Sequence, residues 1–389
     1  MSSEVQIKQL PLYWRLSPLE QKTKNVVADL MPFSFAIDEA TGVLIQKRNK
    51  SVLDALEVIY RQEYNIGYLQ DANEIARPYG TDFIRYLKSL MNTKGRGQRV
   101  LEIGCGGCVV LASLQAAGCD VLGIDSSPFA ATQGERKGVP VITGFYPTEQ
   151  IKEKFDLIYH VDVLEHIADP VAFLKSHGAN LSKGGLLVVN VPDATESIDI
   201  GDVSMAMHQH LNYFTKLSLA TTLEAAGFDV VSIEKAQYGG SLYATGVVAE
   251  KSTNNQQNLQ TLQINFDEFM IKSKLNLDKF GAISKRLLSD ESCQLGYYVP
   301  LRALPYISAH GIDKGFRFFD DTAHWHNCVF DGVDVKIENF EDLKKNPVSH
   351  ILVMSLTFGD VIKKKIHSEF GDKVNVITLA ELVRDMRDD

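Results

Sequence analysis

The stretch VLEIGCGGC, residues 100–108, decides the fold that this sequence predicts. Its apolar half has the composition of a buried strand, and the helical pattern VVLASLQAAG follows directly at 109–118. Glycines between a strand and a helix let the chain turn sharply and let a ligand approach bare backbone at the helix N-terminus. A dinucleotide fingerprint needs glycine where Val109 stands, so the loop indicates a nucleoside ligand other than NAD or FAD.

Two acidic residues flank this turn. Glu102 precedes the first glycine, and Asp125 ends the next apolar run, DVLGID. A carboxylate at the first position repels a pyrophosphate but attracts a cation, and S-adenosylmethionine carries an ammonium and a sulfonium group without phosphate. At the second position a carboxylate can accept hydrogen bonds from both ribose hydroxyls, although it could equally cap the helix that follows. We therefore predict S-adenosylmethionine as the cofactor, bound through Glu102, Gly104, Gly106 and Asp125.

The surrounding pattern predicts an α/β protein with a parallel sheet. Between 97 and 250, runs rich in Val, Ile and Leu alternate with segments of helical period, which is typical of βαβ units. Residues 228–250 form a predicted hairpin around Gly-Gly-Ser, which adds an antiparallel last strand. We expect a mainly helical cap over 1–96, the cofactor-binding domain over 97–250, a helical linker over 251–290 and a smaller α/β domain over 291–389.

Composition limits the partners. The chain has 389 residues, a net charge of -9 and 23% charged residues, so we expect a globular protein that does not bind nucleic acid. No apolar run approaches the ~18 residues of a membrane span, and the first residues do not resemble a secretory signal. Five cysteines, two of them in a CxxC within the glycine turn, suit a reducing compartment. We predict a cytoplasmic protein without a membrane partner, and the sequence does not indicate its oligomeric state.

Residues 97–250 resemble the class I S-adenosylmethionine-dependent methyltransferases, whose Rossmann-like sheet also ends with an antiparallel hairpin strand. The resemblance rests on the glycine turn, the two acids and the strand FDLIYHVDVLEHIADP at 155–170. It implies that Phe145 lies near the adenine and that His160 and Val161 lie near the methionine part of the cofactor. Cys105 and Ser126 join the predicted cofactor site through their positions beside the two acids.

A narrower resemblance follows from the order of three further motifs. VLEHIADP at 163–170, HQHLNYF at 208–214 and GGSL at 239–242, followed by a second α/β domain, resemble the sugar C-methyltransferases that modify nucleotide-linked keto-deoxysugars. The resemblance implies that His210 is the motif histidine, with Tyr213 and Phe214 as its aromatic residues, and that His166 and Tyr68 are active-site residues. The sequence departs from the family at Gln209, where the family has glutamate, and in lacking the cysteines of an N-terminal zinc region.

These residue types suit proton transfer. Imidazole has an ordinary pKa near ~6.5, so His210 could remove the proton beside a ketone while phenol and imidazole donors hold the enolate oxygen. We predict methyl transfer to a small, possibly nucleotide-linked sugar acceptor, and no bound metal. Several alternatives remain open: a metal pair of His208 and His210, a packing role for His166, a core role for Tyr68, methylation of oxygen or nitrogen, and a non-catalytic binding or assembly protein.

Overall fold

The computed structural model describes residues 5–12, 16–18, 28–61, 77–91, 97–250 and 256–384. The strands in these ranges are β1 Gln6–Pro11, β2 Leu16–Pro18, β3 Leu30–Ile37, β4 Leu44–Gln46, β5 Arg99–Ile103, β6 Asp120–Asp125, β7 Val141–Thr143, β8 Phe155–Val161, β9 Leu181–Pro192, β10 Asn212–Tyr213, β11 Phe228–Lys235, β12 Ser241–Val248, β13 Leu295–Tyr298, β14 Phe316–Phe319, β15 Cys328–Phe330, β16 Ile337–Glu338, β17 His350–Val353 and β18 Asn375–Thr378.

The helices are α1 Lys50–Arg61, α2 Arg77–Leu90, α3 Val109–Ala116, α4 Pro128–Lys137, α5 Pro170–His177, α6 Thr195–Ile200, α7 Lys216–Ala225, α8 Gln256–Ser289, α9 Pro300–Ala309, α10 Phe340–Lys345, α11 Gly359–Phe370 and α12 Leu379–Arg384. Short 3₁₀ turns occur as well, including Leu164–His166 and Val203–Met205. None of the helices in the described ranges has the length and apolar character needed to cross a membrane.

The chain folds into two compact units. The larger unit contains Ile37–Thr195 and His210–Gln263, and the smaller unit contains Met1–Ala36, Glu196–Gln209 and Ile264–Asp389. This grouping divides the N-terminal region at residue 37 and the long helix α8 at residue 264. The domain boundaries predicted at 96, 250 and 290 stay a prediction.

A seven-stranded sheet in the order β11-β12-β9-β8-β5-β6-β7 forms the centre of the larger unit. Strands β9, β8, β5, β6 and β7 run parallel, and β12 pairs antiparallel with both β9 and β11. The predicted parallel sheet and its antiparallel hairpin strand are therefore confirmed, with β12 lying inside the sheet and β11 at its edge. Buried apolar side chains fill both faces, with Ile158 and Leu187 on one and Val100 and Leu111 on the other.

The carboxyl ends of the parallel strands lie at one edge of this sheet. There β5 ends in Ile103, β6 in Asp125 and β8 in Val161, and the ends of these strands together with the loops that follow them carry most of the predicted site residues. Ligands of open α/β sheets bind at this edge because the loops and helix N-termini converge there.

The described part of the N-terminal region contains strands as well as helices. Besides α1 and α2, its described part contains β1, β2, β3 and β4. In the larger unit, β4 pairs antiparallel with β10, so that Ile45 lies opposite Asn212 and Leu44 opposite Tyr213. This pairing fixes the end of the HQHLNYF segment.

The smaller unit contains a second, five-stranded parallel sheet in the order β16-β14-β13-β17-β18. Gly296 lies within the first strand of this sheet, β13, and Val299 after it adopts a left-handed backbone (φ 64) before α9. A Cβ atom at Gly296 would lie 2.6 Å from Cε2 of Phe319, so this glycine makes room for an aromatic ring.

Candidate active site

The glycine turn joins β5 to α3 at the carboxyl edge of the larger unit's sheet. Gly104 has a φ of 75, and a Cβ atom there would lie 2.6 Å from Cγ2 of Val163, which follows the neighbouring strand β8. Glycine is required at this position because both the left-handed backbone and the close approach exclude a side chain. A Cβ atom at Gly106 would meet nothing within 4 Å, so the second glycine leaves open space beside the turn.

Asp125 holds the turn in place. Its Oδ2 accepts a hydrogen bond of 2.9 Å from the backbone N–H of Gly106, and its Oδ1 accepts one of 2.8 Å from that of Ser127. Burial raises the pKa of this carboxyl group, which is 4% exposed, and the two amide donors oppose that shift. The N-cap of α4 is Ser127, whose side chain accepts from the amide of Phe129, so Asp125 is not itself the cap residue.

Glu102 is turned into the interior. It is 4% exposed and accepts a hydrogen bond of 2.8 Å from the phenol of Tyr159. Burial and the neighbouring carboxylate raise the pKa of Tyr159, which keeps the phenol protonated as the donor. In this position Glu102 can influence a cationic cofactor through its field, while its oxygens bond to the protein.

The thiols of the CxxC pack beneath the turn. The Sγ atoms of Cys105 and Cys108 lie 3.9 Å apart, and both residues belong to the buried cluster that includes Leu111 and Tyr159. The hydrogen bond from Cys108, followed by burial, raises the pKa of Cys105 well above its ordinary value. Protonated, buried thiols suit a packing role rather than metal binding or redox chemistry.

The other predicted cofactor residues divide into two groups. The first group is at least partly exposed: Phe145, which follows β7, is 44% exposed, and Val161 is half-buried at the end of β8. Ser126 also belongs to this group, and its hydroxyl donates a hydrogen bond of 3.3 Å to the carbonyl of Tyr60. The imidazole of His160, by contrast, is fully buried, with ring centroids 5.5 Å from Phe173 and 5.6 Å from His177. Because this side chain faces the core, we assign no side-chain contact with the cofactor to His160.

Two predicted catalytic histidines lie together. His166 ends the 3₁₀ turn after β8, and its ring centroid is 5.1 Å from that of His210, which precedes β10. The phenol of Tyr60 lies 3.3 Å from Nδ1 of His166, and the ring of Tyr213 is 6.1 Å from that of His210. The structure therefore brings together His166, His210 and Tyr213, while Tyr68 lies outside the described residues.

Backbone and amide hydrogen bonds fix His210 beside this turn. The N–H of Leu211 donates to the carbonyl of Glu165 at 2.7 Å, and the buried amide of Asn212 donates to the carbonyls of Leu164 and Ile167. Arg48 in turn donates to the carbonyl of Leu211 and to the side chain of Asn212, each at 2.8 Å. The two histidine-bearing segments are thus held together by directional bonds.

Glu165 was not among the site residues predicted from the sequence. This carboxylate is 1% exposed and lies 3.8 Å from Nε2 of His166. One ligand atom each of Glu165, His166 and His210 lie within 4.8 Å of one another. Burial, followed by the charge of Asp162, raises the pKa of Glu165 well above its ordinary value. Its place beside His166 in VLEHIADP was visible in the sequence, but its burial was not.

A second set of missed residues surrounds the end of β8. The phenol of Tyr79, on α2, lies 3.0 Å from Oδ1 of Asp162 and 3.0 Å from Oδ1 of Asn190, and accepts from Ser241 at 3.3 Å. Asp162 has a left-handed backbone with φ 51. A Cβ atom at Gly239 would lie 2.3 Å from the ring of Tyr79, so the Gly-Gly-Ser connection provides the space for this tyrosine.

His208 has a different environment from His210. In the smaller unit its imidazole is fully buried, lies 3.2 Å from the carbonyl of Met31 and packs against Phe33. Burial lowers the pKa of His208 to about 4, so it is neutral at pH 7. Among the described residues, the side chains that could hold a metal ion together with His210 are those of Glu165 and His166. His208 does not belong to this group.

Comparison with known proteins agrees with this architecture. A family model described as a methyltransferase domain matches residues 67–233. The ubiquinone biosynthesis O-methyltransferase of Azorhizobium caulinodans is 28% identical over 182 residues, which cover 42% of this chain and 69% of that protein. The protein of the same description from Cereibacter sphaeroides is 34% identical over 100 residues, covering 24% and 40% respectively.

Solved structures of low similarity complete the comparison. The Burkholderia thailandensis 1,6-didemethyltoxoflavin-N1-methyltransferase is 18% identical, with a TM-score of 0.41 over 59% of this chain and 100% of that chain. The Synechocystis magnesium protoporphyrin IX methyltransferase is 17% identical, with a TM-score of 0.41 over 50% and 100%. The family match, the curated relatives and the sheet order together show that the chain carries a class I S-adenosylmethionine-dependent methyltransferase domain.

Proposed function

We propose that this protein transfers the methyl group of S-adenosylmethionine to a small acceptor, with His210 as the general base. The observation that carries the proposal is the convergence of His210, His166 and Glu165 at the sheet edge that also carries the glycine turn. A positioned general base typically accelerates such reactions by ~100- to 10,000-fold, so an imidazole at this edge could contribute a factor of that size to the rate.

The cofactor fits the residues around the glycine turn. Gly106 leaves open space, Phe145 offers an exposed ring, and Asp125 at the end of β6 bonds to the turn. In the proposed site these residues, together with Gly104 and Ser126, hold the nucleoside, and Val161 borders its methionine part. When bound, S-adenosylmethionine supplies the electrophilic methyl group.

In the proposed mechanism, side chains of the protein remove the proton from the acceptor. His210 removes a proton from the acceptor, and its lone pair forms the new N–H bond while the electron pair of the broken bond stays on the acceptor. His166 and Tyr213 flank this imidazole, and Tyr60 lies beside His166, so hydrogen-bond donors are available for the negative charge that develops on the acceptor. Tyr68 remains a further candidate.

For the acceptor we propose a sugar, in particular a nucleotide-linked keto-deoxysugar methylated on carbon. This rests on the order of VLEHIADP, HQHLNYF and GGSL and on the second α/β sheet after them. The second candidate is methylation of a hydroxyl group, which is favoured by the curated relatives described as O-methyltransferases. The same imidazole can remove a hydroxyl proton, so the site accommodates both reactions.

The experiment uses S-adenosylmethionine with a ¹³C-labelled methyl group and two acceptor panels, nucleotide-linked keto-deoxysugars and catechols. The ¹³C chemical shift of the product methyl distinguishes carbon from oxygen and nitrogen as the new neighbour. We expect a carbon-bound methyl group from the sugar panel. An oxygen-bound product would establish the second candidate, and cofactor binding without turnover of any acceptor would instead support a binding or assembly role.

A further inference from the structure

Glu165 is a buried carboxylate that no step of the proposed function uses. It is 1% exposed, and neither carboxylate oxygen accepts a hydrogen bond from another residue in the described part of the chain. An ionised carboxylate removed from water costs several kcal/mol unless a proton or a nearby cation neutralises it. A buried acid of this kind is therefore stabilised either by a proton or by a neighbour that supplies positive charge.

The groups that face Glu165 identify that partner. Asp162 and Tyr79 are its acidic neighbours, and neither supplies positive charge. The imidazoles of His166 and His210 also lie close to Glu165, with Nε2 of His166 3.8 Å from Oε1 of the carboxylate. The phenol of Tyr60 contacts His166, and the ring of Tyr213 lies beside that of His210. Since the charge of Asp162 disfavours ionisation of Glu165, protonation of a neighbouring imidazole is what creates an attractive charge next to it among the described residues.

We infer that Glu165 is the positioning residue of the proposed base, and that its carboxylate orients the two imidazoles and stabilises the imidazolium formed when His210 takes the acceptor proton. The inference rests on the proposed function. The proton moves from the acceptor to His210, no electrons leave the acceptor, and the positive charge that forms lies within reach of the carboxylate. Gln209 carries no charge, so the HQHLNYF segment itself contains no carboxylate for this purpose.

The same three side chains could instead bind a metal ion, and their spacing is wider than either a hydrogen bond or a shared ion requires. Glu165 Oε1 and His166 Nε2 are 3.8 Å apart. Ligands at ~2.0–2.1 Å from a tetrahedral zinc ion lie only ~3.4 Å from one another, so this pair would have to close before it could bind an ion.

The test compares wild type, Glu165→Gln and Glu165→Asp in single-turnover methyl transfer as a function of pH, with the acceptor found by the ¹³C experiment. The glutamine keeps the size of the side chain and removes the charge. Because a carboxylate favours the protonated imidazole, we expect Glu165→Gln to move the acidic limb to lower pH by about one unit and to lower the maximal rate by roughly 10- to 100-fold. Glu165→Asp should keep the limb near its wild-type position.

Glu234→Gln, the same change at an exposed residue of β11, is the control and should leave the profile unchanged. Calorimetry with S-adenosylhomocysteine should show equal cofactor affinity for all variants, which separates a positioning role from loss of fold. A wild-type profile for Glu165→Gln alongside an inactive His210→Ala would overturn the inference and leave the proposed function intact. An active His210→Ala would contradict the proposed function itself, and stoichiometric metal in the wild type that Glu165→Gln loses would replace the proton role by an ion.

Discussion

The carboxylate of Asp125 links two loops: it accepts from the amide of Gly106 in the glycine turn at 2.9 Å and from that of Ser127 after β6 at 2.8 Å. The turn and the end of β6 are therefore held at a fixed distance before any ligand binds. Each carboxylate oxygen retains a second lone pair, so the same group can also accept from a ribose hydroxyl.

Asp125→Ala should weaken binding of S-adenosylmethionine by about 1.5 to 3 kcal/mol, the value of a hydrogen bond to a charged group. Asp125→Asn keeps one acceptor oxygen and should lie between Asp125→Ala and wild type. Isothermal calorimetry measures both affinities. If Asp125→Ala binds the cofactor as tightly as wild type, the ribose assignment is wrong.

Gly239→Ala should destabilise the protein by crowding Tyr79 beside the candidate site. The added Cβ atom would lie 2.3 Å from the ring of Tyr79, which contacts Asp162 at the end of β8, and φ is already 82. Overpacking together with the left-handed backbone should lower the free energy of unfolding by roughly 2 to 4 kcal/mol, as measured by urea denaturation.

Gly240→Ala is the matched control for this prediction. Gly240 has a φ of 64, but a Cβ atom there would meet nothing within 4 Å. Its cost should be the backbone strain alone, about 1 kcal/mol. Equal losses in the two variants would show that the contact with Tyr79 is unimportant.

Acid should destabilise the protein through its buried neutral histidines. Burial lowers the pKa of His177 and of His208 from 6.5 to about 4. As the pH falls below 6.5, these two histidines bind protons in the unfolded chain but stay neutral in the folded chain. The free energy of unfolding should therefore fall until about pH 4 and then level off. The loss is about 3 kcal/mol for each histidine.

The measurement is the pH dependence of urea unfolding for wild type and His177→Gln. In the variant, the free energy of unfolding should change less steeply with pH between pH 4 and 6.5. The difference in slope corresponds to up to one bound proton. The same slope in both proteins would show that His177 is protonated in the folded state.

The sheet of the larger unit could be predicted because buried parallel strands are continuous apolar runs of characteristic length. Its glycine turn was also predictable, because the sequence itself shows glycines between a strand pattern and a helix pattern. The pairing of the N-terminal strands could not be predicted, because a short strand such as Leu44–Gln46 depends on a partner far along the chain, here Asn212–Tyr213.

The candidate site could be predicted only where a motif named its residues. His166 and His210 were identified in this way, and their rings lie 5.1 Å apart. Glu165 and Tyr79 were not identified, because burial without hydrogen bonds and a contact between positions 79 and 239 depend on tertiary packing. The cofactor contact of His160 stays a prediction. Strand residues alternate between faces, and the sequence did not show that Phe173 and His177 would cover the face on which this imidazole lies.

The most direct test of the central claim compares His210→Ala with His208→Ala in single-turnover methyl transfer, with thermal stability and cofactor affinity measured on both. Loss of a positioned base should slow His210→Ala by ~100- to 10,000-fold while the fold and the affinity for S-adenosylmethionine are retained. His208→Ala removes a buried imidazole that contacts Met31 and Phe33, so it should lower stability and keep most of the activity per folded molecule. Near wild-type transfer by His210→Ala would contradict the account and make His166 the next candidate for the base.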